Sequence, residues 1–215
     1  MPDRTFDAFL FDMDGTLIDS IEAAERVWAG WARRKGLDVA TFLPTIHGSR
    51  AVDTIGRLGL PGLDPAYEAK EVEREEIVDL DGIVPIVGAT DFLAQLPADR
   101  WTIVTSAPRA LALARLGKVG IKPPAKMVTG EDIKHGKPAP DCYLLGAERL
   151  GFDISRCVVF EDAPVGILSG EASGASLVVI GATHRHRATD PLLAIDTYEE
   201  ADLTVSDSGL ALSRR

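Results

Sequence analysis

Short, continuous apolar runs alternate along this chain with longer stretches whose apolar residues recur at helical spacing. The runs are Ala8-Phe9-Leu10-Phe11, Trp101-Thr102-Ile103-Val104, Lys126-Met127-Val128, Cys157-Val158-Val159-Phe160 and Ser176-Leu177-Val178-Val179-Ile180. Each ends in polar or glycine-rich residues. Runs this short, rich in β-branched and aromatic residues, suit strands buried on both faces. Helical patterns cover residues 89–96, 109–116, 140–150 and 164–174. The third is closed by Gly151, glycine being common just past a helix end. Strands alternating with helices predict an α/β fold, a Rossmann-like parallel sheet flanked by helices.

Residues 20–81 break that alternation, with helical signal and no strand. Ile21, Ala24, Trp28, Trp31 and Ala32 follow helical spacing up to Gly36. Asp64-Pro65 has the form of an N-cap and first helical position. The tryptophans read as core, and the charged segment 68–76 as a solvated helix face. The pattern predicts an inserted all-helical cap domain, residues 19–85, on a discontinuous catalytic core of residues 1–18 and 86–215. Hinges are expected near residues 16–20 and 82–88.

Composition narrows the class. The chain has 215 residues, 46% apolar and 26% charged, enough for a buried core. No apolar run reaches the roughly 18 residues of a membrane span. Met1-Pro2-Asp3-Arg4 does not begin a cationic segment followed by an apolar one. A cytoplasmic protein, monomeric by default, is expected. A net charge of −10 argues against nucleic acid or an anionic membrane as partner. Cys142 and Cys157 are too few for a zinc site or disulfide framework and read as buried small hydrophobes.

The candidate chemistry sits at the ends of the predicted strands. Asp12-Met13-Asp14-Gly15-Thr16 follows the first one, where open α/β sheets bind ligands. Asp12 can attack phosphorus, Asp14 can protonate a leaving oxygen and later activate water, and Gly15 permits a sharp turn. The Asp-Gly pair is also an ordinary turn signal. Thr105-Ser106 follows the next strand; its hydroxyls can hold a phosphate oxygen or cap the following helix. Lys137, in Gly136-Lys137-Pro138-Ala139-Pro140, is held in stiff chain, which aims its ammonium group. His135 reads as a loop residue. Glu161-Asp162 follows Cys157-Val158-Val159-Phe160. Paired acids there either favour a helix N-terminus or surround a cation, and hard oxygen ligands suit Mg²⁺.

In this order the motifs resemble the haloacid dehalogenase-like hydrolase superfamily, in its phosphatase branch with a helical cap. The residues carrying the resemblance are Asp12-Met13-Asp14-Gly15-Thr16, Thr105-Ser106, Gly136-Lys137-Pro138-Ala139-Pro140-Asp141 and Glu161-Asp162-Ala163-Pro164-Val165-Gly166-Ile167. The resemblance implies an aspartyl-phosphate on Asp12, with Asp14 as acid and base. It implies that Thr105 or Ser106 and Lys137 hold the phosphoryl group. Mg²⁺ would be bound by Asp12, the Asp14 carbonyl and Asp162, with Glu161 direct or through water. Gly15 and Thr16 are placed with the substrate-binding residues. His47-Gly48-Ser49-Arg50 resembles a cap loop of glycerol-phosphate and sugar-phosphate phosphatases, and Ala182-Thr183-His184 is similar to the same group. Arg50, with His47, is therefore expected to touch substrate, the alternative being a simple turn.

The expected activity is Mg²⁺-dependent hydrolysis of small phosphate esters, sugar or polyol phosphates. The rival enzyme is a β-phosphoglucomutase-like phosphosugar mutase, which shares the motifs. Such mutases usually carry a histidine in the opening cap helix, and residues 21–28 hold none. A silent binding protein on the same fold is the rival of another class.

Overall fold

The computed structural model describes residues 4–183 and 191–215. In chain order the elements are β1 (Ala8–Phe11), β2 (Ile18–Asp19), α1 (Ile21–Arg34), α2 (Val39–Phe42), α3 (Ala51–Arg57), α4 (Pro65–Val78) and β3 (Val84–Pro85). There follow α5 (Ala89–Ala94), β4 (Trp101–Ile103), α6 (Arg109–Val119), α7 (Asp141–Leu150), β5 (Cys157–Glu161), α8 (Pro164–Ser173), β6 (Ser176–Ile180), β7 (Leu193–Ile195), β8 (Ala201–Ser206) and β9 (Gly209–Arg214). The central 5-stranded sheet runs β4-β1-β5-β6-β7, and every pairing in it is parallel. It is a Rossmann-like α/β sheet.

Successive side chains of β1 point to opposite faces and so join two cores. Ala8 and Leu10 pack with Cys142, Tyr143, Ala147 and Ile167 from α7 and α8. Phe9 and Phe11 pack with Phe92, Phe160 and Tyr198 on the other side. The Phe11 and Phe160 rings stack at 4.4 Å. This aromatic floor lies directly beneath the ends of β1 and β5.

Two strand expectations change. Lys126-Met127-Val128 forms no strand; Val128 makes a single bridge to Val104. Pro123-Pro124 before it and Gly130 after it leave too little chain able to donate into a ladder. The fifth strand is instead β7, whose three residues bear too weak a pattern to predict. The β8–β9 hairpin was likewise not anticipated; it meets the N-terminal segment through Phe6 and Leu210.

Helices α1 to α4 share a core of Trp28, Trp31, Phe42, Ile46, Ile55 and Val72. Gly36 takes φ 71° just past α1. The Asp64 carboxylate accepts from the Ala66 and Tyr67 amides at the start of α4. The chain enters and leaves this helical block through the antiparallel β2–β3 ribbon, with Ile18 opposite Pro85 and Asp19 opposite Val84.

The charged segment of α4 is not simply a solvated face. Residues 68, 72 and 76 share one stripe at helical spacing. Glu68 takes hydrogen bonds from Trp31 Nε1 (2.9 Å) and Lys35 Nζ (2.6 Å), and Val72 and Glu76 are buried. A charge can occupy such a stripe because a partner from elsewhere in the fold meets it, which local sequence cannot disclose.

Candidate active site

Strand register brings the motifs together. Phe11 lies opposite Phe160 on one side and Ile103 on the other. Asp12, Glu161-Asp162 and Thr105 therefore emerge from the C-terminal ends of three adjacent strands. The Asp12 amide donates to the Phe160 carbonyl at 3.0 Å, and the Thr105 amide to the Val128 carbonyl at 3.0 Å. Lys137 arrives from the loop ahead of α7, on the face packed against Leu10.

Lys137 is 2% exposed, and its Nζ donates to Asp12 Oδ1 at 2.6 Å and Glu161 Oε1 at 2.5 Å. Burial works against the ammonium, but Asp12 and Glu161 outweigh it and raise its pKa. The Glu161 carboxylate is fully occupied. Oε1 also accepts from Tyr143 Oη at 2.7 Å, and Oε2 from the Asp162 and Ala163 amides. Burial, with the charges of Glu161 and Asp12, pushes the Tyr143 hydroxyl well above its ordinary pKa, so it stays a donor. Glu161 thus clamps Lys137 against Asp12.

Asp12 Oδ2 has no hydrogen-bond partner among the described residues, while Asp12 lines a cavity of about 80 Å³. Burial, with Glu161 and Asp162 adding to it and Lys137 opposing, holds the Asp12 carboxyl well above the usual carboxylate range. Asp12, Glu161 and Asp162 can each place an oxygen within 4.8 Å of the others. Three buried acids beside one ammonium leave an excess of negative charge. A small hard divalent cation would relieve it, so the donor set fits Mg²⁺.

Gly15 and Thr16 serve Asp162 and do not line the cavity. Gly15 turns at φ 85°, and a Cβ there would sit 2.0 Å from Asp162 Oδ2. Thr16 Oγ1 donates to Asp162 Oδ1 at 3.1 Å, and Thr183 Oγ1 to Oδ2 at 2.9 Å. Thr183 belongs to the string that the family resemblance singled out; His184 lies outside the described residues. Thr105 Oγ1 accepts from the Ala107 amide at 3.0 Å, and Ser106 Oγ donates to the Gly48 carbonyl at 2.8 Å. Both residues line the cavity, as do His47, Gly48 and Ser49. His47 Nε2 also meets Glu25 Oε1 at 3.1 Å.

Arg50 is not brought into the cavity. Its guanidinium pairs with Asp53 through Nε (2.6 Å) and Nη2 (2.9 Å). It also donates to the carbonyls of Gly130, Ile133 and Lys134. Contact with substrate would require giving up this set. Here Arg50 latches the helical block to the loop that delivers Lys137.

Arg115 and Glu76 were missed. Arg115 is buried in α6 one turn after Leu111, so a charge stands on that helix's apolar stripe; this was the available signal. Its Nη1 donates to Asp14 Oδ1 (2.8 Å) and its Nη2 to Glu76 Oε1 (3.0 Å). Burial, against the pull of Arg115, pushes the Glu76 carboxyl from 4.5 up to about 7. Because the folded pKa is the higher one, the contribution to stability is complete below about 4.5 and is lost as pH rises towards 7. The loss is roughly 3 kcal/mol in total. Urea unfolding of Glu76→Gln should show a shallower fall in stability between those pH values. Identical slopes for variant and wild type would refute this.

Comparison with known proteins agrees with this geometry. The family model described as haloacid dehalogenase-like hydrolase matches residues 6–174. Hexitol phosphatase A of Escherichia coli (strain K12) is 40% identical over 206 residues, covering 94% of this chain and 95% of that protein. Glycerol-1-phosphate phosphohydrolase 1 of Saccharomyces cerevisiae is 35% identical over 190 residues, covering 82% of this chain and 75% of that protein. The crystal structure of CbbY from Rhodobacter sphaeroides superposes with a TM-score of 0.78 at 21% identity, covering 91% of this chain and 96% of that one, and shares the fold. With its acids and lysine gathered at the C-terminal edge of a parallel sheet, the chain belongs to the haloacid dehalogenase-like hydrolase family, in its phosphatase branch.

Proposed function

We propose that this protein is a Mg²⁺-dependent phosphatase for small sugar or polyol phosphates, working through an aspartyl-phosphate on Asp12. The observation carrying the proposal is Asp12 itself. One oxygen is held by Lys137, and the other has no hydrogen-bond partner among the described residues and belongs to a residue lining an 80 Å³ cavity. Relatives named as phosphatases of hexitols and glycerol 1-phosphate support the same class.

Asp12 Oδ2 attacks phosphorus, and the ester oxygen leaves with a proton from Asp14. Asp14 then takes a proton from water, whose oxygen attacks the phosphoryl group, freeing phosphate and the Asp12 carboxylate. Lys137 offsets the repulsion between carboxylate and phosphate, and the Thr105 hydroxyl can donate to a phosphoryl oxygen, whereas Ser106 must first release the Gly48 carbonyl to do so. Asp12, Asp162 and the Asp14 carbonyl would hold Mg²⁺, with Glu161 acting through Lys137 or a bridging water. The ion's contribution is to spread charge on the phosphoryl oxygens. Residues 19–85 serve as the cap over this site, excluding water and large substrates.

Phosphate release from a panel of phosphorylated metabolites, with Mg²⁺ or with EDTA, tests the proposal. Release from small sugar or polyol phosphates that EDTA abolishes is expected. Turnover indifferent to EDTA would remove the metal, and no release across the panel would remove the activity. Net isomerisation of a sugar phosphate without phosphate release would instead establish the mutase.

A further inference from the structure

Asp14 is held by an unusual arrangement. Its Oδ1 accepts both Ser20 Oγ, at 2.6 Å, and Arg115 Nη1, at 2.8 Å. Its Oδ2 makes no hydrogen bond among the described residues, and Asp14 lines the cavity together with Arg115 and Glu76. Arg115 belongs to α6 of the sheet domain, whereas Glu76 belongs to α4 of the helical block. The side chain of Arg115 is 5% exposed and that of Glu76 8%.

Stability alone does not account for this arginine. Its neighbours on the inward face of α6 are Leu111, Ala112 and Leu116, a setting that methionine would fill. Its Nε is buried without a partner among the described residues, and an orphaned buried donor is costly. Replacing buried ion pairs with apolar residues is often neutral or stabilising. Arg115 directs a rigid planar fork at two carboxylates, one from each side of the cavity.

We propose that Arg115 is a positioning residue for Asp14, and that Glu76 sets the orientation of Arg115 only while the helical block is docked. Two donors on Oδ1 fix the carboxyl and leave Oδ2 to face the ester oxygen. Proton transfer tolerates little misplacement, so the acid is in register when the block that encloses the substrate is in place. This rests on the reading of Asp14 as general acid.

The experiment compares kcat/KM for glycerol 1-phosphate, whose alkoxide leaves only with a proton, and for p-nitrophenyl phosphate, whose phenolate leaves without one. Through an aspartyl-phosphate, kcat/KM covers the steps up to departure of the leaving group. Arg115→Met is expected to lose about 10–100-fold on glycerol 1-phosphate and less than about threefold on p-nitrophenyl phosphate, within the range of general acid catalysis. Arg115→Lys should restore part of the loss, and Glu76→Gln, which needs no refolding around a lost cation, should show the same selectivity more weakly. Equal losses on both esters in Arg115→Met and Glu76→Gln, or no loss, would overturn the proposal. Asp14→Asn separates the two levels. If its own loss is not selective for the alkyl ester, the reading of Asp14 as acid falls; a selective loss there without one at Arg115 and Glu76 defeats only this inference.

Discussion

Asp12→Asn is expected to abolish turnover, by on the order of 10³–10⁶-fold, the range seen when a covalent nucleophile is removed. The same variant should keep its fold. Asp12 is buried among Glu161 and Asp162, and burial already holds its carboxyl well above the usual range. An isosteric amide removes the cost of ionising a carboxyl beside Glu161 and Asp162 and can still accept from Lys137 through its carbonyl oxygen. Its melting temperature without Mg²⁺ should therefore equal or exceed that of wild type, while the stabilisation Mg²⁺ confers should shrink. Thermal melts with and without Mg²⁺, beside a phosphate-release assay, check both halves. A variant that folds and keeps more than a few per cent of wild-type activity would eliminate Asp12 as nucleophile.

Lys137→Met is expected to damage activity and stability together. Its Nζ lies between Asp12 Oδ1 and Glu161 Oε1, and 5.1 Å from the Tyr143 ring centroid. Removing the ammonium that contacts both acids leaves buried charge uncompensated, at a cost of roughly 3–5 kcal/mol. Turnover should fall by about 10²–10³-fold, the scale of losing one aimed electrostatic donor. A second substitution separates the two effects. Adding Glu161→Gln removes a stranded carboxylate, so the double variant should be less destabilised than the sum of the singles. Its activity should stay low, since the charge facing phosphate is still missing. Additive losses in urea unfolding would mean that Lys137 and Glu161 do not act as the coupled pair their geometry indicates.

The two substitutions mark what kind of feature local sequence discloses. Asp12, Asp14 and Glu161-Asp162 are legible as candidates because each follows a run whose burial is visible in its own composition, and Lys137 because the prolines after it stiffen its loop. Reactive groups at the ends of buried strands are scarce and conspicuous. Arg115 and Glu76 carry the same charges but sit inside helices, 39 residues apart, where arginine and glutamate are ordinary surface residues. Arg50 shows the converse: the loop around it drew attention, but the guanidinium is spent on Asp53 and on the carbonyls of Gly130, Ile133 and Lys134. Short-range pattern identifies residue type and element. It does not identify a partner on another element.

By itself, then, the sequence determined the α/β alternation, the helical insertion after the first strand, and the residue types available for chemistry. Hydrophobic periodicity and turn residues act over a few positions, and those features need nothing longer. Tertiary structure decided the strand order, in which β7 joins the sheet and residues 126–128 do not. It decided that Glu161 clamps Lys137, that Gly15 and Thr16 hold Asp162, and that Arg115 joins Asp14 to Glu76. Each of these depends on which strand lies beside which and on who meets a buried charge, and the energy of a buried charge is set by neighbours brought from far along the chain.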